Sequence, residues 1–154
     1  MSHLMYASFA SRISPDIRFA VFSSPSYLER RGRPVTPRDL ASHDCISLRL
    51  PTHDILLAWE FEREGQSMKA HVAGQWVFNT GSAVIRAAQA GCGLAWLPED
   101  WVASPVAAGG LVPVLQDWSP TFPGYHLYYP SRRQASPAFR LVVDALRWPG
   151  PREL

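Results

Sequence analysis

The spacing of apolar residues changes several times along the chain, between the two-residue period of strands and the 3.6-residue period of helices. These changes predict an alternation of short strands and helices. Runs of β-branched and aromatic residues predict strands at 18–22, 45–50, 57–62, 68–78, 94–97, 111–115 and 125–129, with Gly74 interrupting the fourth of them. Helix start signals and helical spacing predict helices at 25–31, 37–42, 80–90, 98–108 and 137–147. This alternation is typical of an α/β fold.

The stretch from Gly74 to Pro98, GQWVFNTGSAVIRAAQAGCGLAWLP, carries the clearest functional signal. It has the order strand, polar turn, helix, glycine turn and strand, which is that of a βαβ unit. In open α/β sheets, small ligands bind beside the carboxyl ends of the parallel strands, where the helix begins. Unpaired backbone N–H groups and the helix dipole favour an anionic or hydrogen-bonding ligand there. The pattern predicts ligand binding without chemistry.

Local signals refine the element boundaries. Three helices are predicted to begin with an N-cap residue followed by proline, at Ser24-Pro25, Thr36-Pro37 and Ser136-Pro137. The last of these helices should carry an apolar stripe made of Phe139, Val142, Val143 and Leu146. Residues 1–14 show no period, and the proline-rich stretch 119–124 is a predicted linker. Pro113 indicates an edge or crossover position for the strand at 111–115.

Composition indicates a folded protein with one compact domain or two small lobes. Of its 154 residues, 47% are hydrophobic and 18% are charged, which favours a globular fold over disorder. A formal net charge of +2 is too small to predict nucleic-acid binding. The amino end has no secretion signal, and no apolar run could span a bilayer. Because two cysteines make no disulfide framework either, we expect a cytoplasmic protein with no membrane partner.

Catalysis and metal binding find little support in the sequence. Ser24, His43 and Asp44 are a conceivable nucleophilic set, but an adjacent His-Asp pair cannot place the carboxylate behind the imidazole. Neither a G-x-S-x-G elbow nor an H-E-x-x-H zinc motif is present. The five histidines show no metal-ligand spacing. We therefore predict a protein that is not an enzyme and uses no metal and no cofactor.

Five segments in order resemble the effector-binding, or substrate-binding, domain of bacterial LysR-type transcriptional regulators. They are SSPSYLERRGRPVTPRDLASHDCISLRLP, WEFEREG, VFNTGSAVIRAAQAGCGLAWLPEDWV, GGLVPVLQDW and GYHLYYPSRRQASPAFRLVVDAL. One such segment would be weak evidence, whereas five at ordinary spacings are specific. The resemblance covers residues 15–148, nearly the whole chain.

The resemblance implies a type 2 periplasmic-binding-protein-like α/β fold, in which two lobes hold an effector in the cleft between them. Residues 18–118 would form a nearly complete second lobe, and residues 119–148 the C-terminal strand and helix of the first lobe. Residues 1–17 would be an N-terminal tail or hinge segment, and residues 149–154 a tail. Nothing matches the family's N-terminal helix-turn-helix or the first part of the first lobe. DNA binding is therefore expected only through a missing N-terminal domain of a parent protein, and this chain would be a truncated regulator, a gene fragment or a deliberate truncation.

The resemblance also implies where an effector would bind. In the family, the start of the helix after the second lobe's central strand lines the cleft, and the matching positions are Asn79, Thr80, Gly81 and Ser82. These side chains could line the cleft, cap the helix, or do both. Ser23 and Ser24, at another strand-to-helix junction, are a second candidate pair, although helix capping explains them as well. Leu97 and Pro98 either wall the cleft or belong to the core.

The leading functional hypothesis is a domain that senses a small, polar or anionic organic effector and transmits binding as a conformational or packing change, in a homo-oligomer. The alternative is a dimerisation or interaction fragment with no ligand of its own, because an exposed sheet edge at 125–129 would pair with a partner. A stand-alone solute-binding domain is disfavoured by the lack of a secretion signal.

Overall fold

The computed structural model describes residues 9–52, 54–72, 74–129 and 136–150, and its elements are those of an α/β protein. The strands are β1 (Phe9–Arg12), β2 (Ile17–Ser23), β3 (Cys45–Leu50), β4 (Ile55–Leu56), β5 (Trp59–Arg63), β6 (Gln66–Ala70), β7 (Trp76–Phe78), β8 (Leu94–Pro98), β9 (Val112–Val114), β10 (Thr121–Phe122) and β11 (His126–Tyr129). The α-helices are α1 (Pro25–Arg31), α2 (Gly81–Gln89), α3 (Ala103–Ala107) and α4 (Pro137–Leu146). Short 3-10 helices lie at Pro37–Ser42, Glu99–Val102 and Gln116–Trp118. The chain divides into two compact units, one of residues 18–121 and one of residues 1–17 with 122–154.

The larger unit is built on a mixed seven-stranded sheet. Strand β3 runs parallel to both β7 and β8, and β2 runs antiparallel to β8. All five residues of β8 are buried, as its apolar composition predicts for a central strand. Helix α2 packs its alanine-rich face on this sheet, in a core that includes Ile46, Val84, Ala88 and Leu97. The small side chains of the helix allow this close approach to the sheet.

A separate hairpin of β5 and β6 completes the larger unit. Glu64 and Gly65 form its turn, with φ values of 51° and 77°, the left-handed conformations that a two-residue hairpin turn requires. The strand predicted at 68–78, with an interruption at Gly74, forms two separate strands in the structure. Its first part belongs to β6, which pairs with β5, whereas its last part is β7, which pairs with β3.

The smaller unit pairs β1 with β11 in an antiparallel ribbon, next to α4. Phe9 stacks on Tyr129 with ring centroids 6.0 Å apart, and Tyr129 meets Phe139 of α4 edge to face at 5.5 Å. Strand β1 lies where the sequence predicts no element. The assignment of residues 1–17 to an N-terminal tail or hinge segment stays a prediction. One edge of β11, expected to be open, is occupied by β1.

The structure differs from the sequence prediction at residues 119–124 and agrees with it at Pro113. The predicted linker 119–124 contains the two-residue strand β10, which pairs with β2, and Pro120 O accepts a hydrogen bond from Phe19 N at 3.1 Å. Strand β9 pairs with β2, opposite the neighbour β8, so Pro113 occupies an edge strand as predicted.

Candidate functional site

The amino end of α2 lies at the carboxyl edge of the parallel strands. β7 ends at Phe78 and α2 begins at Gly81, so only two residues separate strand from helix. β7 and β8 both run parallel to β3, which lies between them. The βαβ prediction is therefore confirmed, with the added finding that a third strand separates its two strands. This edge is the position at which open α/β sheets bind ligands.

Polar groups are exposed at this helix start. Thr80 is the N-cap, and its Oγ1 accepts a hydrogen bond from Ala83 N at 3.3 Å. Asn79 and Ser82 are exposed, and Ser82 Oγ donates to Thr80 Oγ1 at 3.4 Å. Within the described part of the chain, the backbone N–H groups of Gly81 and Ser82 have no hydrogen-bond acceptor. The helix dipole gives these N–H groups a partial positive charge suited to a carboxylate or hydroxyl oxygen.

An aromatic ring forms one side of this helix start. Trp101, in the 3-10 helix after β8, places its ring against the Cα of Gly81, where a built Cβ would lie 2.9 Å from Trp101 Cε3 and closer still to Cζ3. The Trp101 side chain remains 45% exposed. Sequence reasoning missed this residue. The only hint is a glycine at the first position of a helix, a poor helix former that leaves room for a neighbouring side chain.

Ser23 and Ser24 are positioned differently from the α2 residues. Ser23 is fully buried, and its Oγ donates to Gly93 O at 2.7 Å. Ser24 is 3% exposed, and its Oγ caps α1 by accepting from Tyr27 N at 3.2 Å. Both hydroxyl groups therefore serve the fold of the larger unit. Effector binding by these two serines stays a prediction.

Leu97 and Pro98 end the buried strand β8. Leu97 is 1% exposed and belongs to the core against α2, and Pro98 is buried as well. Their contacts are those of core packing, and their role as a cleft wall stays a prediction. They also connect the sheet to the site, because β8 leads directly into the 3-10 helix that carries Trp101.

The three residues considered as a nucleophilic set all contact Tyr27 by hydrogen bonds. They are Ser24, His43 and Asp44. His43 Nδ1 lies 2.8 Å from Tyr27 Oη, which accepts a hydrogen bond from Asp44 N at 3.0 Å. Tyr27 Oη accepts from Asp44 N and still has a hydrogen to donate, which Nδ1 of a neutral His43 can accept. Burial, and next the charge of Arg31, lower the pKa of His43 from its ordinary value. This network joins α1 to β3 and is structural.

The described residues offer neither a metal-binding cluster nor a membrane-spanning helix. Among residues 9–52, 54–72, 74–129 and 136–150, no group of three or more His, Cys, Asp or Glu side chains could hold a metal ion. In the same described ranges, none of the helices has both the length and the apolar character needed to cross a bilayer.

Comparison with known proteins decides the family. A family model described as the LysR substrate binding domain matches residues 5–148. The chain belongs to this family. It is 49% identical over 140 residues to a putative transcriptional regulator of Pseudomonas aeruginosa, covering 91% of this chain and 46% of that protein. It is 42% identical over 141 residues to the HTH-type transcriptional regulator PgrR of Escherichia coli, covering 92% and 47%.

Solved structures show the same fold. The regulatory domain of CrgA from Neisseria meningitidis superposes with a TM-score of 0.76 at 24% identity, covering 95% of this chain and 70% of that one. The regulatory domain of an AphB variant from Vibrio vulnificus gives 0.76 at 23% identity, covering 91% and 68%. The fold is thus that of LysR-type regulatory domains, the type 2 periplasmic-binding-protein-like fold. The chain spans about half the length of the curated relatives it matches.

The His43 network predicts a pH dependence of stability for this LysR-type domain. The folded-state pKa of His43 is below its unfolded value near 6.5, so the unfolded chain binds more protons as the pH falls below that value. The stabilising contribution is therefore present above pH 6.5 and is lost as the pH falls towards the folded pKa. Between pH 7.5 and 5.5 the wild type should lose up to about 1 kcal/mol more than His43→Gln, the net value of one hydrogen bond. Urea unfolding of both proteins at the two pH values measures this difference, and equal losses would contradict it.

Proposed function

We propose that this LysR-type domain senses a small polar or anionic organic effector at the start of α2, in the cleft between the two lobes of the parent regulator. Effector binding favours one arrangement of the lobes and so changes how subunits pack in a homo-oligomer. DNA binding then belongs to an N-terminal domain of the parent, and the regulator acts in the cytoplasm. The role of LysR substrate-binding domains in sensing small-molecule effectors supports the proposal.

One observation carries this proposal. The N–H groups of Gly81 and Ser82 have no acceptor among the described residues, and they lie beside the exposed polar groups of Asn79 and Thr80 and the half-exposed ring of Trp101. Donors of this kind bind a carboxylate or a hydroxyl oxygen, while the indole supplies an apolar surface for the rest of the molecule.

The test is a thermal-shift titration of the whole chain with benzoate, succinate and benzyl alcohol at millimolar concentration. A ligand that binds the native state raises Tm. We expect at least one carboxylate to raise Tm, and Asn79→Ala or Thr80→Ala to reduce that increase by half or more. Thr80→Ala alone should also cost about 1 kcal/mol of stability, because it removes the N-cap of α2.

Ser136→Ala is the matched control for Thr80→Ala. Ser136 caps α4 in the other unit by accepting from Phe139 N at 3.2 Å, so its removal has a similar cost to helix stability. It should lower Tm and leave the ligand-induced increase unchanged. If both variants reduced the increase equally, or if no carboxylate raised Tm of the wild type, the proposed site would be wrong.

A second candidate function is association through the smaller unit. Of the predicted apolar stripe on α4, only Val143 is buried, and Val142 and Leu146 are 52% and 47% exposed. Leu141 and Tyr128 of the same unit are also exposed, at 72% and 69%. Such a surface is typical of a protein interface. Sizing chromatography with light scattering separates the alternatives, since an interaction fragment forms a stable oligomer that no effector changes.

A further inference from the structure

A cavity of about 310 Å³ lies in the larger unit, away from the start of α2. Its lining comes from β3, from the chain that joins β4 to β5, and from the end of β6, and consists of Ser47, Ile55, Leu56, Leu57, Ala58, Ala70, His71 and Val72. Ile46 of β3 faces α2 in the core, and successive side chains of a strand point to opposite faces of the sheet. Ser47 therefore opens towards the face opposite α2, so the cavity is distinct from the proposed effector site.

Ser47 is the unusual residue of this cavity. It is 3% exposed and lines the cavity, and none of the hydrogen bonds between residues that the structure describes uses its hydroxyl group. A hydroxyl group in the wall of an open cavity is available to hydrogen-bond to a bound molecule, which would contribute about 1 kcal/mol to binding. His71, at the rim, is exposed and is the other polar side chain of the lining.

The rest of the lining limits the chemistry of a ligand. The other described lining residues are alanine, valine, leucine and isoleucine, and none of the lining residues is Asp, Glu, Lys or Arg. A charged molecule would lose part of its hydration here without gaining an opposite charge. The volume is at the lower end of the roughly 300–1,000 Å³ that small-molecule pockets occupy, which restricts the ligand to a compact one.

We propose that this cavity binds a small neutral molecule, with an apolar ring or short chain and one hydroxyl group that hydrogen-bonds to Ser47 Oγ. The apolar part packs against Ile55, Leu56 and Ala70. The site is independent of the effector site, and either can exist without the other.

Phenol and benzene are suitable probes, because they differ by the hydroxyl group alone. In ¹H–¹⁵N NMR titrations of the whole chain, phenol should shift the amide signals of Ile55, Leu56 and Ala70 saturably. Ser47→Ala should weaken phenol binding by about 3- to 10-fold, the effect of losing one hydrogen bond, and change benzene binding by less than about twofold. This selective loss distinguishes a hydrogen bond from a general change in cavity shape.

Three further variants complete the test. Ser67→Ala, at an exposed serine of β6 outside the lining, should bind phenol like the wild type. Thr80→Ala should also leave phenol binding unchanged. Ala58→Leu should fill the cavity and abolish the shifts, and its folding is checked by the dispersion of the remaining signals. The proposal is overturned if phenol causes no saturable shift, if the shifts centre on Thr80, or if Ser47→Ala weakens phenol and benzene equally.

Discussion

Replacing Gly93 with alanine should lower the free energy of unfolding by about 3 kcal/mol or more. Gly93 has a φ of +156°, which residues with side chains rarely adopt. A Cβ built there lies 2.9 Å from the backbone carbonyl carbon of Asp44 and closer still to its oxygen. Neither atom can rotate away, since the same Asp44 oxygen accepts a hydrogen bond from Leu94 N at 2.9 Å. The added methyl group would therefore push β8 away from β3 and disturb the hydrogen bond from Ser23 Oγ to Gly93 O.

Gly109→Ala separates backbone strain from this clash. Gly109 also has a positive φ, +79°, but a Cβ there meets nothing within 4 Å. Its replacement should cost about 1 kcal/mol, the ordinary cost of the conformation alone. Urea unfolding at 25 °C, followed by circular dichroism, compares the two variants. Equal losses would show that the approach of Gly93 to Asp44 does not matter for stability.

The sequence was most informative where local signals and burial agree. Ser24-Pro25 and Ser136-Pro137 both start helices, with the serine hydroxyl accepting the predicted backbone hydrogen bond. The strand at Leu94–Pro98 is predicted by a run of apolar residues and is buried throughout. In these places the same few residues determine both the local conformation and its packing.

Prediction failed where pairing depends on residues far apart in the sequence. Strand β1 has only four residues and is defined by its register with β11, from Phe9 opposite Tyr129 to Arg12 opposite His126. The strand predicted at 68–78 was expected to be interrupted at Gly74, but nothing in the sequence shows that its two parts pair with different partners, β5 and β3. A propensity pattern cannot show which partner a strand will find.

The site was predicted in outline, and its aromatic side was not. Thr80 caps α2, and Asn79 and Ser82 are exposed at the position that the βαβ pattern indicates. Trp101 comes to Gly81 through the turn after β8, a contact between residues 20 positions apart that no periodicity reveals. For Ser23 the sequence did not reveal an internal contact, the hydrogen bond from its hydroxyl group to Gly93 O. A serine at a strand-to-helix junction can donate such a bond as well as contact a ligand.

Trp59→Ala should lower the free energy of unfolding by about 3–5 kcal/mol, the usual cost of removing a buried tryptophan. Trp59 is 2% exposed, and it lies in β5, opposite Ala70 of β6. A two-stranded hairpin is only marginally stable by itself, so β5 and β6 depend on buried anchors such as Trp59. The surface contact of Arg63 with the ring of Trp118, 5.2 Å from its centroid, is exposed and much weaker.

Trp76→Ala is the matched control for this substitution. Trp76 is also a strand tryptophan, in β7, but 43% of it is exposed, and it stacks on Phe78 at 6.1 Å. Its removal should cost about 1 kcal/mol. Urea unfolding gives both losses, and hydrogen exchange of the β5–β6 amides shows whether Trp59→Ala releases the hairpin before the rest of the sheet unfolds. If the two variants lost equal stability, or if β5–β6 exchange stayed coupled to global unfolding in Trp59→Ala, Trp59 would not be the anchor of the hairpin.

Detachment of the hairpin would also remove one wall of the Ser47 cavity, so the Trp59 variant should no longer bind phenol while the Trp76 variant still does.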